Sequence, residues 1–208
     1  MGSHKLDEMK RVLILGRAAS GKSCLARTLG ELTGLPVIEL DKVFWQPQLQ
    51  ALPPDKWASV QNRLIQNPCW IMDGDLGPYD SVEIRLRAAD TIIFLDFSIL
   101  RCAWRASRRS HERADFWLWL LRYRHRSRPF LMKAIANHAP GATLHVLRNP
   151  KALKRLVADV ACINRPMCAH FQLSRSTSAA ILARRLIKRF NFRRALGSAV
   201  ERRCISRA

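Results

Sequence analysis

No apolar run in this chain approaches the roughly 18 residues that a membrane-spanning helix needs, which excludes a transmembrane segment of that kind. The opening stretch "MGSHKLDEMK" is polar and holds no apolar signal region, so a cytoplasmic location is expected. Six cysteines are present, but no two form a CxxC pair or a zinc-type spacing, and they read as reduced thiols rather than a disulfide or metal framework. The histidines are equally dispersed, and none pairs with another ligand at metal spacing. Internal repeats, low-complexity segments and the signatures of helix-turn-helix, zinc-finger or RNA-binding modules are all missing.

Acidic residues are also scarce. Sixteen Asp and Glu stand against 36 Lys and Arg in 208 residues, a formal charge of +20. Residues 159–208 hold 11 of the basic residues and only 2 acidic ones, against 25 and 14 in residues 1–158. Such a balance attracts polyanions and equally suits a site for nucleotide phosphates. Nearly half of the residues are apolar, so the chain can bury a sizeable core.

Short apolar runs alternate with helical patterns. "RVLIL" (11–15), "LPVIEL" (35–40), "CWIMD" (69–73), "TIIFLDF" (91–97) and "ATLHVL" (142–147) read as strands. Between them, helices are expected from Lys22 to about Leu32, from Pro54 through Ile65, over an Arg- and Trp-rich stretch, and after Pro150 across "KALKRLVADV". This alternation predicts an α/β fold of three layers around a parallel five-stranded sheet. One domain over 1–158 is expected, with a basic extension over 159–208 that is partly helical or disordered.

The strongest chemical signal lies between the first strand and the first helix. Gly16-Arg17-Ala18-Ala19-Ser20-Gly21-Lys22-Ser23 satisfies G-x4-G-K-[ST] at every fixed position. Such a loop turns the amides of Gly16, Ala18, Ala19, Ser20, Gly21, Lys22, Ser23 and Cys24 toward phosphate oxygens. Lys22 supplies a cation for the β and γ phosphates, the Ser23 hydroxyl suits Mg²⁺, and the helix beginning there adds its positive end. ATP and Mg²⁺ are therefore the expected cofactors. Asp73 closes the third apolar run and would point at the metal if that strand lies beside the first. Asp41 follows "VIEL" at the same edge, and Asp96 in "IIFLDF" is a further acidic strand end.

In their order and spacing the P-loop, "LPVIELDKVFWQP", "CWIMDGD", "VEIRLRAADTIIFLDF", "WRASRR" and "LHVLRNPKAL" resemble the adenylate-kinase-related family of DNA topology modulation proteins. The resemblance spans roughly residues 10–158 and implies a P-loop nucleoside-phosphate-kinase-like fold with a core, a substrate-binding insertion and a short lid. It implies that Asp41 and Trp45 face the acceptor substrate, that Asp73 holds Mg²⁺ through water, and that Arg85 grips the acceptor phosphate. It further implies that Arg105 and Arg109 clamp the transferring phosphate and that Arg148 lies by the adenine. The chain departs from the family in "DGDLGPYD", where Tyr79 is displaced, and in "RRSHERADFWLWL", which lacks the usual lid elements.

Residues 101–128 hold nine arginines with Trp104, Trp117, Trp119 and Tyr123. Three readings stay open there: an amphipathic helix pair with its tryptophans inside, a phosphate clamp, or a surface that stacks and neutralises nucleic acid. In the tail, Ile181, Leu182, Leu186, Ile187 and Phe190 share a helical face beside Arg184, Arg185, Lys188 and Arg189, a pattern that fits non-specific nucleic acid, an anionic membrane surface or packing on the core. A segment without selected function is the other reading of the tail. The function expected is an ATP-dependent phosphotransferase of the nucleoside-phosphate-kinase type acting on a small-molecule acceptor. The alternative is a non-enzymatic nucleotide-binding regulator that engages nucleic acid.

Overall fold

The computed structural model of the protein describes residues 9–45, 50–76, 80–108 and 114–163. Five strands form one parallel sheet: β1 (Arg11–Gly16), β2 (Val37–Glu39), β3 (Trp70–Asp73), β4 (Thr91–Leu95) and β5 (Thr143–Leu147). Their order across the sheet is β2-β3-β1-β4-β5. From the central β1 the chain builds β2 and β3 on one side, then β4 and β5 on the other. Every strand ends at the same edge, the place where open α/β sheets carry their sites.

The central strands β1, β3 and β4 are buried on both faces, which is why they read as unbroken apolar runs, while the edge strands β2 and β5 are only partly covered. Leu13 and Leu15 of β1, Trp70 and Met72 of β3, and Ile92 and Phe94 of β4 join one core cluster. The helices α3 (Pro54–Leu64), α4 (Val82–Ala88) and α7 (Ser127–His138) add Trp57, Leu86 and Leu131 to it. The intervening residues Val12, Ile14, Ile71 and Ile93 are equally buried, on the face where α1 (Lys22–Thr33) and α8 (Pro150–Ile163) pack against each other.

Local chemistry sets several boundaries. Gly34, at φ 76, ends α1 by donating its N–H to the Gly30 carbonyl at 2.9 Å. Pro54 opens α3, where its missing N–H costs nothing. The short α2 (Leu40–Phe44) follows β2 directly, and the Phe44 ring meets Trp57 edge-on at 5.2 Å.

The Arg-rich stretch folds as a helix pair and reaches the start of a third helix. It forms α5 (Ile99–Ser107) and α6 (Ala114–Arg122), then runs into α7. Its tryptophans do not share one environment: Trp104 is 51% exposed under the Arg108 guanidinium, 4.3 Å from the ring centroid, whereas Trp117 and Trp119 are partly covered. The last helix continues beyond residue 158 to Ile163, and Val160 is fully buried. Of the expectations above, Tyr79, Arg109 and the tail helix lie outside the described residues. Among the described residues, no helix is long and apolar enough to cross a membrane.

Candidate active site

The phosphate loop is built by backbone geometry. Gly16 ends β1 at φ 139, and a Cβ there would come within 2.5 Å of the Leu95 carbonyl oxygen on β4. Only glycine lets the two strand ends approach so closely. Ala19 and Gly21 are also at positive φ, 56° and 101°, and the Ser20 amide turns back to the Arg17 carbonyl at 3.3 Å. This sequence of turns makes a concave run of amides at the N-terminus of the 12-residue α1, a shape suited to an anion.

Two cations brace the loop. Lys22 Nζ donates to the carbonyls of Gly16 at 2.9 Å and Arg17 at 3.2 Å, holding its ammonium over the loop. Arg105, from α5, donates through Nη1 to the Ser20 carbonyl at 2.9 Å, and its guanidinium packs against Gly21. Arg17, Lys22, Arg101 and Arg105 all act electrostatically on the Cys102 thiol behind the loop, whose pKa is nonetheless raised by burial. Burial favours the neutral thiol, and the cations define a positive field around the loop.

Asp73 lies opposite this cradle. Its backbone pairs in register with Ile14 of β1 and Glu39 of β2. The Ser23 side chain lies near enough to its carboxylate to lower its pKa, while Oδ1 is buried and has no hydrogen-bond partner. Burial is the chief cause that raises its pKa; the Lys22 charge and the Ser23 side chain pull it down, and Asp41 and Glu39 push it up. A buried carboxylate oxygen without a partner, next to a hydroxyl at the mouth of a phosphate loop, is a fitting donor set for a hard cation such as Mg²⁺. Gly74, at φ 146, follows Asp73 and has Leu40 so close that a Cβ would sit 3.0 Å from the Leu40 Cβ. That contact brings the start of α2, and with it Asp41, against the end of β3.

The remaining expected residues are spread around this edge. Asp41 is exposed in the first turn of α2 and lies within electrostatic reach of Asp73. Trp45 follows α2, stacks edge-on against Phe44 at 4.9 Å and forms an isolated bridge to Ala51. Cys24 is exposed in the first turn of α1, and Arg148 is exposed just after β5. Leu147, the residue before Arg148, shares a register row with Leu95 and Gly16. Asp96 is paired with Arg128, whose Nε and Nη2 both donate to its Oδ2 at 3.1 Å.

Arg85 is not brought to the open edge. Its side chain is fully buried and forms a two-pronged pair with Asp80, Nη1 to Oδ1 at 2.7 Å and Nη2 to Oδ2 at 2.6 Å. Nη1 also meets the Gln61 side-chain oxygen. Asp80 in turn accepts from Trp57 Nε1 and the Leu76 amide, both at 3.4 Å. Sequence reasoning missed Asp80 because no motif marks it. Arg17 was missed as well, since it occupies a variable position of the loop pattern. The structure buries it to 4% exposure, with Nη1 3.5 Å from the Phe97 carbonyl and Cζ 5.2 Å from the Tyr123 ring centroid.

No family model matches the chain, and neither does any curated protein sequence. Solved structures do resemble it. They include a sugar kinase from Janibacter sp. HTCC2649, 17% identical over 74% of this chain and 98% of that one, with a TM-score of 0.46. A gluconokinase from Sinorhizobium meliloti 1021 is 17% identical over 86% of this chain and 97% of that one, with a TM-score of 0.45. The shikimate kinase of Bacteroides thetaiotaomicron is 13% identical over 72% of this chain and 95% of that one, with a TM-score of 0.50. At such identities the last likeness speaks to the fold alone: the chain has the α/β fold of P-loop kinases, with a five-stranded parallel sheet.

Proposed function

We propose that this protein is an ATP-dependent phosphotransferase acting on a small-molecule acceptor. One observation carries the reading. The phosphate loop, with Lys22 over it and Arg105 against it, faces a buried Asp73 that lies beside Ser23 and keeps one oxygen without a partner. A loop that only held phosphate would not need a buried carboxylate beside it. Such a group is costly to bury near other carboxylates unless a cation completes it.

Phosphoryl transfer depends on alignment and charge neutralisation more than on covalent chemistry by the protein. The loop amides of residues 16–24 and Lys22 would hold the triphosphate, with Ser23 directly on Mg²⁺ and Asp73 reaching it through water. ATP supplies the transferable phosphoryl group, and Mg²⁺ neutralises its oxygens. Arg105 would cover the transfer, joined by Arg109, and Arg148 would flank the base. Asp41 and Trp45 would receive the acceptor. The resemblance to DNA topology modulation proteins belongs to this proposal, as does a cytoplasmic location.

The test is Mg²⁺-dependent ATP binding by calorimetry, together with ADP release, in the wild-type protein and in Lys22→Ala. Expected are ATP binding in the micromolar to millimolar range and its loss in the variant. Equal binding by both proteins would remove the loop from the function, and no binding by either would remove the kinase reading.

A further inference from the structure

Arg85 is sealed where a phosphate-binding arginine of an acceptor site would be open. Its guanidinium is 0% exposed and Asp80 is 3% exposed. The carboxylate already accepts from Trp57, Leu76 and both terminal nitrogens of Arg85. Withdrawing the guanidinium toward an acceptor phosphate would leave the Asp80 charge buried without its partner.

Several other described cations near this edge also have partners. Lys42 and Arg27 pair with Glu39 at 3.0 and 3.2 Å, Arg128 pairs with Asp96, and Arg17 Nη1 lies 3.5 Å from the Phe97 carbonyl. The acceptor side itself carries carboxylates: Glu39 pairs in register with Asp73 across β2 and β3, and the Leu40 contact with Gly74 sets Asp41 beside them. A phosphate bearing up to two negative charges would enter among these carboxylates without Arg85 to receive it.

We propose that the acceptor carries no phosphate group and is a small alcohol, neutral or amine-bearing, recognised on the carboxylate-lined side formed by Asp41 and the end of β3. This rests on the kinase reading and narrows it. The acceptor oxygen forms the new bond to the γ-phosphorus, and the bond from that phosphorus to the β,γ-bridging oxygen breaks. ADP leaves with the electron pair, and the hydroxyl proton passes to the Asp41 carboxylate. A hydroxyl needs such a base, whereas a phosphate acceptor arrives already ionised.

Dinucleoside pentaphosphates, which tether a nucleoside monophosphate to ATP, separate the two kinds of acceptor site by binding alone. Full-length protein with Mg²⁺ is titrated with ATP and with pentaphosphates carrying adenosine, guanosine, cytidine or thymidine at the acceptor end. The expected affinity gain over ATP is less than tenfold for each; a gain of tenfold or more for any one overturns the proposal. ADP release is then followed with phosphate-free polyols and amino alcohols beside phosphomonoesters. A rise with a phosphate-free alcohol, reduced in Asp41→Asn at unchanged ATP affinity, is the expected result, and a tenfold rise with a phosphomonoester overturns it. If ATP itself does not bind, the kinase reading fails and this proposal with it. Tight pentaphosphate binding would leave the kinase reading standing and remove only the alcohol.

Discussion

The two sides of the sheet edge are made of different material. On the β1 side, a phosphate cradle is formed by backbone turns at Gly16, Ala19 and Gly21, with Lys22 and Arg105 bonded to its carbonyls. On the β2–β3 side, side chains from separate segments do the work: Glu39 and Asp41 before and within α2, Asp73 on β3, and Asp80 locking Arg85. The first side attracts anions, and the second holds carboxylates and buries its strongest ion pair. A backbone cradle depends on a few adjacent residues and recognises a phosphate of any nucleotide. A side-chain site depends on tertiary placement and sets which acceptor enters.

The largest effect expected is on stability, at the ion pair. Asp80→Ala leaves a buried guanidinium without its carboxylate, which costs about 3–5 kcal/mol. For a domain of this size that lowers Tm by about 10 °C. A thermal melt followed by circular dichroism measures it. A fall of less than about 2 °C would break the contrast between the two sides, because Arg85 would then be free to serve a substrate.

Next comes the cradle. Lys22→Ala removes a positive charge aimed at the triphosphate and should cut turnover by about 10²–10³-fold. Its two bonds to loop carbonyls are worth together about 2 kcal/mol, so Tm should fall by about 5 °C, half the shift of Asp80→Ala. The two substitutions together separate an element that holds the fold from one that serves the nucleotide.

Asp73 joins the two sides, and its substitution should act in opposite directions. Asp73→Asn is expected to lower apparent Mg²⁺ affinity about 10–100-fold, as loss of a water-mediated partner does. Without nucleotide or metal, the same variant should be more stable than wild type at neutral pH. Burial raises the folded-state pKa of Asp73 above its unfolded value near 3.9, so ionisation opposes folding. That penalty is absent below the unfolded pKa, grows as pH rises through the folded one, and is complete above it. The stability gain of Asp73→Asn should therefore fade on acidification toward about pH 4. Melts of both proteins across pH, with EDTA present, measure it; a variant less stable than wild type at pH 7 would mean that Asp73 is satisfied without a cation.

The same contrast decides how much could be read from sequence. The five strands and α1 were legible because each is a local pattern, an apolar run or a helical spacing closed by glycine, and the G-x4-G-K-[ST] signature is itself a run of neighbours. Residues 101–128 were less so. Arginines and tryptophans at helical spacing do not say where the chain turns, and the break between α5 and α6 followed no glycine or proline. The acceptor side depends on pairings across distance. Arg85 meets Gln61, 24 residues away, and Arg17 reaches Phe97, 80 residues away, and neither spacing leaves a mark in the sequence.

The smallest effect expected at the site concerns the basic tail. Residues 164–208 hold 11 Lys and Arg and one acidic residue. A truncation belongs after Ile163 rather than at 159, because Val160 is fully buried and α8 runs to Ile163. Removing 164–208 should leave ATP affinity within about twofold, since every described residue of the cradle lies within residues 9–163. Binding of single-stranded nucleic acid or of vesicles rich in anionic lipid should fall, and the slope of log affinity against log salt should flatten by about 0.7 for each nucleic-acid phosphate no longer contacted. Full-length and truncated protein compared across a salt series measure this. An unchanged slope would move polyanion binding onto the folded domain, where the exposed Arg101, Trp104 and Arg108 of the α5 region offer cations beside a ring. Loss of ATP binding on truncation would instead make the tail part of the cradle side, and the division between a nucleotide-binding domain and its appendage would fall.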